Sequence, residues 1–97
     1  MQKLSESEIQ IKLAGLNTQA KSPWSIADNK LRKEFVLNDF KEAFAFMTKV
    51  AEIAEAMDHH PGWSNSYKRV QIDLWTHDVN GISDLDFELA EKIEALA

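Results

Sequence analysis

The stretch from Asp39 to Met57 constrains everything around it. On a helical wheel Phe40, Ala43, Phe44, Phe46, Met47, Val50, Ala51, Ile53, Ala54 and Met57 cover roughly half the circumference, wider than the ~100° stripe a surface helix needs. Such a helix has two faces to bury. One is expected on the chain's own sheet and the other on a second copy, with Phe46 and Ile53 assigned to the outer arc, the alternative being a helix sunk deeply into a monomer's core. Asn38 is placed to cap the start. The end falls near Met57, because His60 precedes Pro61 and a residue before proline is biased out of the helical region. The pair His59-His60 therefore sits in a turn.

The segments on either side read as strands and shorter helices. Ser5 with Glu8 is a capping-box pattern, and Ile9, Leu13 and Leu16 follow at helical spacing until Gly15 and Asn17 weaken it. From Trp24 to Leu37 the pattern predicts a β-hairpin turning at Asp28-Asn29-Lys30, with Leu31, Phe35 and Leu37 on one parity and Arg32 and Glu34 interleaved. Trp63 to Ser66 is a short strand candidate. A stronger one follows, in which Val70, Ile72 and Leu74 alternate with Arg69, Gln71, Asp73 and Trp75. Continued one step, the alternation puts His77 beside Trp75 on the face away from the core. Asn80-Gly81 is a turn signal. Ser83 with Asp86 is an aspartate version of the capping box, opening a last helix through Leu85, Leu89, Ile93 and Leu96. The order α-β-β-α-β-β-α, with tight connections, predicts a two-layer α+β sandwich: an antiparallel sheet with the helices on one face.

Bulk properties exclude several functions. A chain of 97 residues is expected to be one domain spanning 1–97, with its site built from a single core and its loops. It has no cysteine, which removes disulfides, thiolate metal sites and a cysteine nucleophile. A net charge of -5 disfavours direct nucleic-acid binding or attachment to an anionic membrane, both of which need a cationic footprint. No apolar run approaches the ~20 residues of a membrane span, and the first residues do not begin a signal peptide, so the expected location is the cytoplasm.

The chemistry must then come from His, Asp, Glu, Lys, Tyr or Ser, and the histidines are read first. All three histidines, His59, His60 and His77, can belong to one site, and imidazole gives or takes a proton near neutral pH. His59, at a helix C-terminus with Asp58 and Glu55 close in sequence, is expected to favour its protonated form, and His60 and His77 to remain neutral if they lie farther from a carboxylate, the sequence leaving open which is acid and which is base. Asp58 and Asp78 are candidates for orienting the imidazoles. Asp86 is read first as a helix cap. Trp75 and Trp63 could stack on a flat ligand, although half-buried strand aromatics also serve simply as packing. A three-histidine zinc site is disfavoured, because adjacent residues project in different directions.

Glu55, three residues, His59-His60-Pro61, then Tyr67, His77 and Asp86 at their spacings resemble the signature of the pterin-4a-carbinolamine dehydratase family. The likeness extends upstream through Phe40, Ala43-Phe44, Phe46-Met47-Thr48 and Val50-Ala51 to Trp24. The resemblance implies a four-stranded antiparallel sheet with three helices on one face. It also implies a homodimer or homotetramer built through a sheet edge or the Asp39–Met57 helix, and no metal or cofactor, the pterin being the substrate. The implied reaction is dehydration of 4a-hydroxytetrahydrobiopterin to quinonoid dihydropterin, which recycles the cofactor of aromatic amino acid hydroxylases. Catalytic histidines map onto His59, His60 and His77, and substrate contacts onto Asp58, Trp75, Thr76 and Asp78. Glu55, Pro61, Tyr67 and Asp86 complete the motif. Trp75 stands where animal relatives carry serine, and Asp78 replaces a glutamate. Two other implied functions are a dimerisation cofactor for a transcription factor, binding through the broad helix, and a dehydratase-like activity on another pterin, as in molybdopterin metabolism.

Overall fold

The computed structural model describes residues 2–97. Its elements run α1 (Glu6–Asn17), β1 (Ser25–Ala27), β2 (Lys30–Val36), α2 (Phe40–Met57), β3 (Gly62–Ser66), β4 (Arg69–Leu74) and α3 (Asp84–Glu94), with one 3₁₀ turn at His77–Val79 between β4 and α3. The sheet has the order β1-β2-β4-β3 and every neighbouring pair is antiparallel. β4, the last strand in the chain, thus lies between β2 and β3, and its end is carried to the middle of the molecule. This is the α+β architecture expected from the alternation. Among the described residues no helix is long and apolar enough to cross a membrane.

Local signals account for the element boundaries. Ser5 and Glu8 cap α1 reciprocally, with the Ser5 amide donating to Glu8 Oε1 at 2.8 Å. That bond holds the Glu8 carboxyl below the usual carboxylate range, so the stability it supplies is present at neutral pH and is lost as pH falls through the lowered value. The β1-β2 hairpin turns on Asp28 and Asn29, both at positive φ (53° and 60°), as a two-residue type I′ turn requires. The expected cap of α2 shifts by one residue. Asp39, not Asn38, accepts from the Glu42 amide at 2.8 Å, because its backbone is extended where the helix begins, and the Asn38 amide group instead donates to the Glu42 carboxylate. Leu37 lies just past β2 and packs at the core's margin.

Leu31, Phe35, Val70, Ile72 and Leu74 from the sheet are buried against the helical layer, with the Phe35 and Phe46 rings 4.9 Å apart. This fixes the orientation of α2. Ala43, Phe46, Val50 and Ala54 face the sheet, and Ile53 is partly buried against the same core. The assignment of Phe46 and Ile53 to an outer arc is therefore corrected. The exposed aromatics of this helix are Phe40 and Phe44, 49% and 58% accessible, with ring centroids 6.0 Å apart. Alternation also missed Lys33, which shares the apolar parity of Leu31 and Phe35. It is buried because it pairs with Glu94 near the end of α3, and the same carboxylate accepts from Trp24 Nε1 at 2.8 Å. On the opposite face Arg32 forms a two-pronged bond to Asp73, directly across the strand pair, and this raises its already high pKa.

Asn29→Val places a β-branched residue in left-handed backbone, and should lower the free energy of urea unfolding by about 1–2 kcal/mol. Asn29→Gly should leave the midpoint unchanged or raise it. Equal midpoints for Asn29→Val and the parent would show that this turn is not strained.

Candidate active site

The histidine pair is positioned by the way α2 stops. Asp58 adopts left-handed backbone (φ 52°, ψ 40°), its amide bonds to the Glu55 carbonyl at 3.1 Å, and the His59 amide reaches back to the Ala54 carbonyl at 3.0 Å. These two bonds form a Schellman closure, which turns the chain sharply and sends successive side chains in different directions. His59 goes inward and is buried, whereas His60 stays exposed. Pro61 follows and leads into β3.

Both imidazoles of the pair have a carboxylate partner, in neither case the adjacent Asp58. His59 Nε2 lies 2.6 Å from Asp86 Oδ1, and His60 Nε2 lies 2.8 Å from Glu55 Oε1. The expectation that Asp58 and Asp78 orient the imidazoles is corrected. The backbone of Asp58 ends the helix and Asp78 lies in the 3₁₀ turn; both border the cleft, and neither carboxylate is hydrogen-bonded to an imidazole. A carboxylate oxygen accepts, so His59 and His60 each carry a hydrogen on Nε2, and the neutral ring of each has its lone pair on Nδ1.

Asp86 does more than cap α3. It is fully buried, and its Oδ2 accepts from the Ser83 amide and the Thr76 hydroxyl, both at 2.9 Å, while Oδ1 takes His59. The single hydroxyl hydrogen of Thr76 goes to Asp86, so at the 2.6 Å contact with Thr76 the Ser83 hydroxyl is the donor. One carboxylate thus ties together the end of α2, the segment after β4 and the start of α3. Among the described residues no buried side-chain polar atom is left without a partner.

His77 comes from the second of these segments, the one after β4. β4 ends at Leu74, one residue before Trp75. Thr76 makes an isolated bridge to Gly81, and His77 opens the 3₁₀ turn instead of continuing the strand. Its ring nevertheless lies beside Trp75, as the alternation predicted, with centroids 4.8 Å apart. Together these pieces border an open cleft of about 390 Å³. Asp58, His59, His60 and Pro61 form one wall, and Trp75, Thr76, His77 and Asp78 the other. Leu85, a cleft residue that sequence reasoning missed, supplies apolar surface from α3. Its only signal was its place in the first turn after the Ser83 cap.

Two expected residues lie elsewhere. Tyr67 is at the β3-β4 turn with φ 53° and is exposed, the turn being braced by Asn65, whose amide donates to the carbonyls of Tyr67 and Arg69. Its role here is that of a turn residue. Trp63 packs against the core, opposite Ile72, and cannot stack on anything in the cleft.

A two-layer α+β sandwich whose cleft holds three imidazoles, two of them backed by carboxylates, is equipped for proton transfer to and from a small molecule. The family model described as pterin 4 alpha carbinolamine dehydratase matches residues 2–96. A protein of Solibacter usitatus provisionally named pterin-4-alpha-carbinolamine dehydratase is 52% identical over 95 residues, covering 98% of this chain and 95% of the relative. A similarly named protein of Synechococcus is 56% identical over 73 residues, covering 75% and 78%. A crystal structure from Brucella melitensis, described as a transcriptional coactivator/pterin dehydratase, superposes with a TM-score of 0.89 at 39% identity and 98% coverage of both chains. The chain belongs to the pterin 4 alpha carbinolamine dehydratase family.

The two histidine–carboxylate pairs should respond very differently to truncation. Asp86→Ala strips a buried carboxylate from three donors and should cost about 3–5 kcal/mol in urea unfolding. Glu55→Ala removes an exposed partner and should change stability by no more than about 1 kcal/mol. Similar losses for both would contradict the assignment of Asp86 as the junction of the site.

Proposed function

We propose that this chain dehydrates 4a-hydroxytetrahydropterins to quinonoid dihydropterins, with His59, His60 and His77 handling the protons. The observation that carries this reading is the convergence of the three imidazoles on one cleft, with carboxylates fixing the rings of His59 and His60. The names of the relatives and the neighbour support the substrate class. In the reaction the C4a–O bond breaks and the leaving oxygen takes a proton. The N5–H bond is lost to a base, and its electrons form the new N5=C4a double bond, so one water leaves and no electrons are exchanged. The proton gained by the base balances the one given by the acid, and exchange with solvent resets both. The Nδ1 lone pairs of His59 and His60 are suited to accept. Asp58, Trp75, Thr76 and Asp78 then form the walls that hold the pterin. Thr76 does so through its backbone and methyl surface, because its hydroxyl is engaged within the Asp86 network. The reading requires no metal or cofactor, and sets the reaction in the cytoplasm as a recycling step for pterin-dependent hydroxylation.

A second reading is favoured by one observation. The exposed Phe40–Phe44 ridge of α2 is an apolar surface suited to association, and the Brucella neighbour's description includes a coactivator role. In this reading copies of the chain assemble as dimers or tetramers, and a protein partner could compete for the same ridge.

Stopped-flow dehydration of enzymatically generated 4a-hydroxytetrahydropterin separates these readings. The wild type should accelerate the reaction before and after chelator treatment, and His60→Ala should lose about 10²–10⁴-fold while remaining folded. No acceleration by folded wild-type protein would sink the enzymatic reading for this substrate and leave partner binding or another pterin. Phe44→Glu should lower the sedimentation mass while leaving each chain folded. An unchanged mass would move the assembly surface to a sheet edge.

A further inference from the structure

We infer that Trp75 is a positioning residue for His77, holding its ring as the tautomer that presents an N–H at Nε2. The inference rests on the dehydratase reading of the cleft, but it concerns the resting protein. Trp75 Nε1 lies 3.3 Å from His77 Nδ1 with hydrogen-bonding geometry, and the two rings meet edge-on at 62°. An indole N–H can only donate. His77 Nδ1 must therefore supply the lone pair, and in the neutral ring the hydrogen is on Nε2.

The indole is itself braced. Its six-membered ring lies over Gly62 in β3, where a β-carbon would fall 2.6 Å from Cζ3 and 2.7 Å from Cη2. Lys30 Nζ sits 4.2 Å from the indole centroid. Gly62 thus provides the space, Lys30 covers the ring, and Nε1 is aimed at His77. All three rings carry their hydrogen on Nε2, but His59 and His60 commit it to carboxylates and leave the Nδ1 lone pair free, whereas His77 has its Nδ1 engaged by Trp75 and leaves the Nε2–H free. The cleft then has ring nitrogens of both kinds, acceptors on the wall that follows α2 and a donor on the wall that follows β4. Removal of water from a carbinolamine needs both, an acceptor for the N5 proton and a donor directed at the leaving oxygen. His77 is placed to hydrogen-bond that oxygen and is not the base.

Nitrogen-15 NMR of the substrate-free protein in mildly alkaline buffer tests this. The expected result is a His77 Nδ1 with an unprotonated, pyridine-like shift that correlates across the hydrogen bond with Trp75 Nε1, and a protonated Nε2. Trp75→Phe should abolish the correlation and change the His77 nitrogen shifts. Gly62→Ala, which keeps the tryptophan but pushes its ring, should do the same. In stopped-flow dehydration both variants should lower kcat, by up to about 100-fold, more than they change KM, as expected when a catalytic group is misplaced. A role limited to stacking on the pterin would move KM instead, and would count against the proposal. So would a protonated Nδ1 in the wild type, or His77 shifts that neither variant alters. If the wild type shows the hydrogen-bonded pair but no dehydration, the pairing stands and the reaction assigned to the cleft fails.

Discussion

Three donors from three separate segments converge on the carboxylate of Asp86: the His59 ring, the Thr76 hydroxyl and the Ser83 amide. The group is fully buried, so each bond replaces water that it has lost, and none can be given up cheaply. The consequence is geometric as well as energetic. α2 ends where His59 can reach Asp86, the chain after β4 turns where Thr76 can reach it, and α3 starts where its own cap completes the set. The two walls of the cleft are held in register by one side chain that is part of neither.

The rest of the fold carries these three segments to the same place. Putting β4 between β2 and β3 brings Leu74 to the centre of the sheet, so the residues that follow emerge beneath the end of α2 rather than at an edge. At the other end of α3, Glu94 is anchored to Lys33 of β2 and to Trp24. The helix carrying Asp86 is thus pinned at both ends, by a buried polar cluster at its start and by a buried ion pair at its finish. Rigidity of this kind keeps the His59 ring in one orientation beside the cleft.

Much of this was legible beforehand. Helix breadth, strand alternation, the Asp28-Asn29 turn and the Ser5 and Ser83 caps are local signals, and the elements formed where they pointed. The errors share one origin. Asp58 and Glu55 were both close to His59 in sequence, yet the left-handed turn at Asp58 sent His59 inward to Asp86 and left Glu55 to His60. Phe46 was assigned to the outer arc of α2, and only the placement of the helix on the sheet buried it and left Phe44 exposed. Lys33 carried the right parity and the wrong polarity for the core, and its partner lies 61 residues away.

By itself the sequence determined which segments are helices and strands, that three imidazoles stand at fixed spacings along the chain, and, through its motif, the family. Those properties depend on neighbours a few residues apart, or on residue identity alone. Tertiary structure decided which carboxylate serves which imidazole, which aromatic faces water, and which nitrogen of each ring is held by a neighbouring group. Hydrogen bonds act over about 3 Å, and a linear pattern does not say which distant groups are brought within that range.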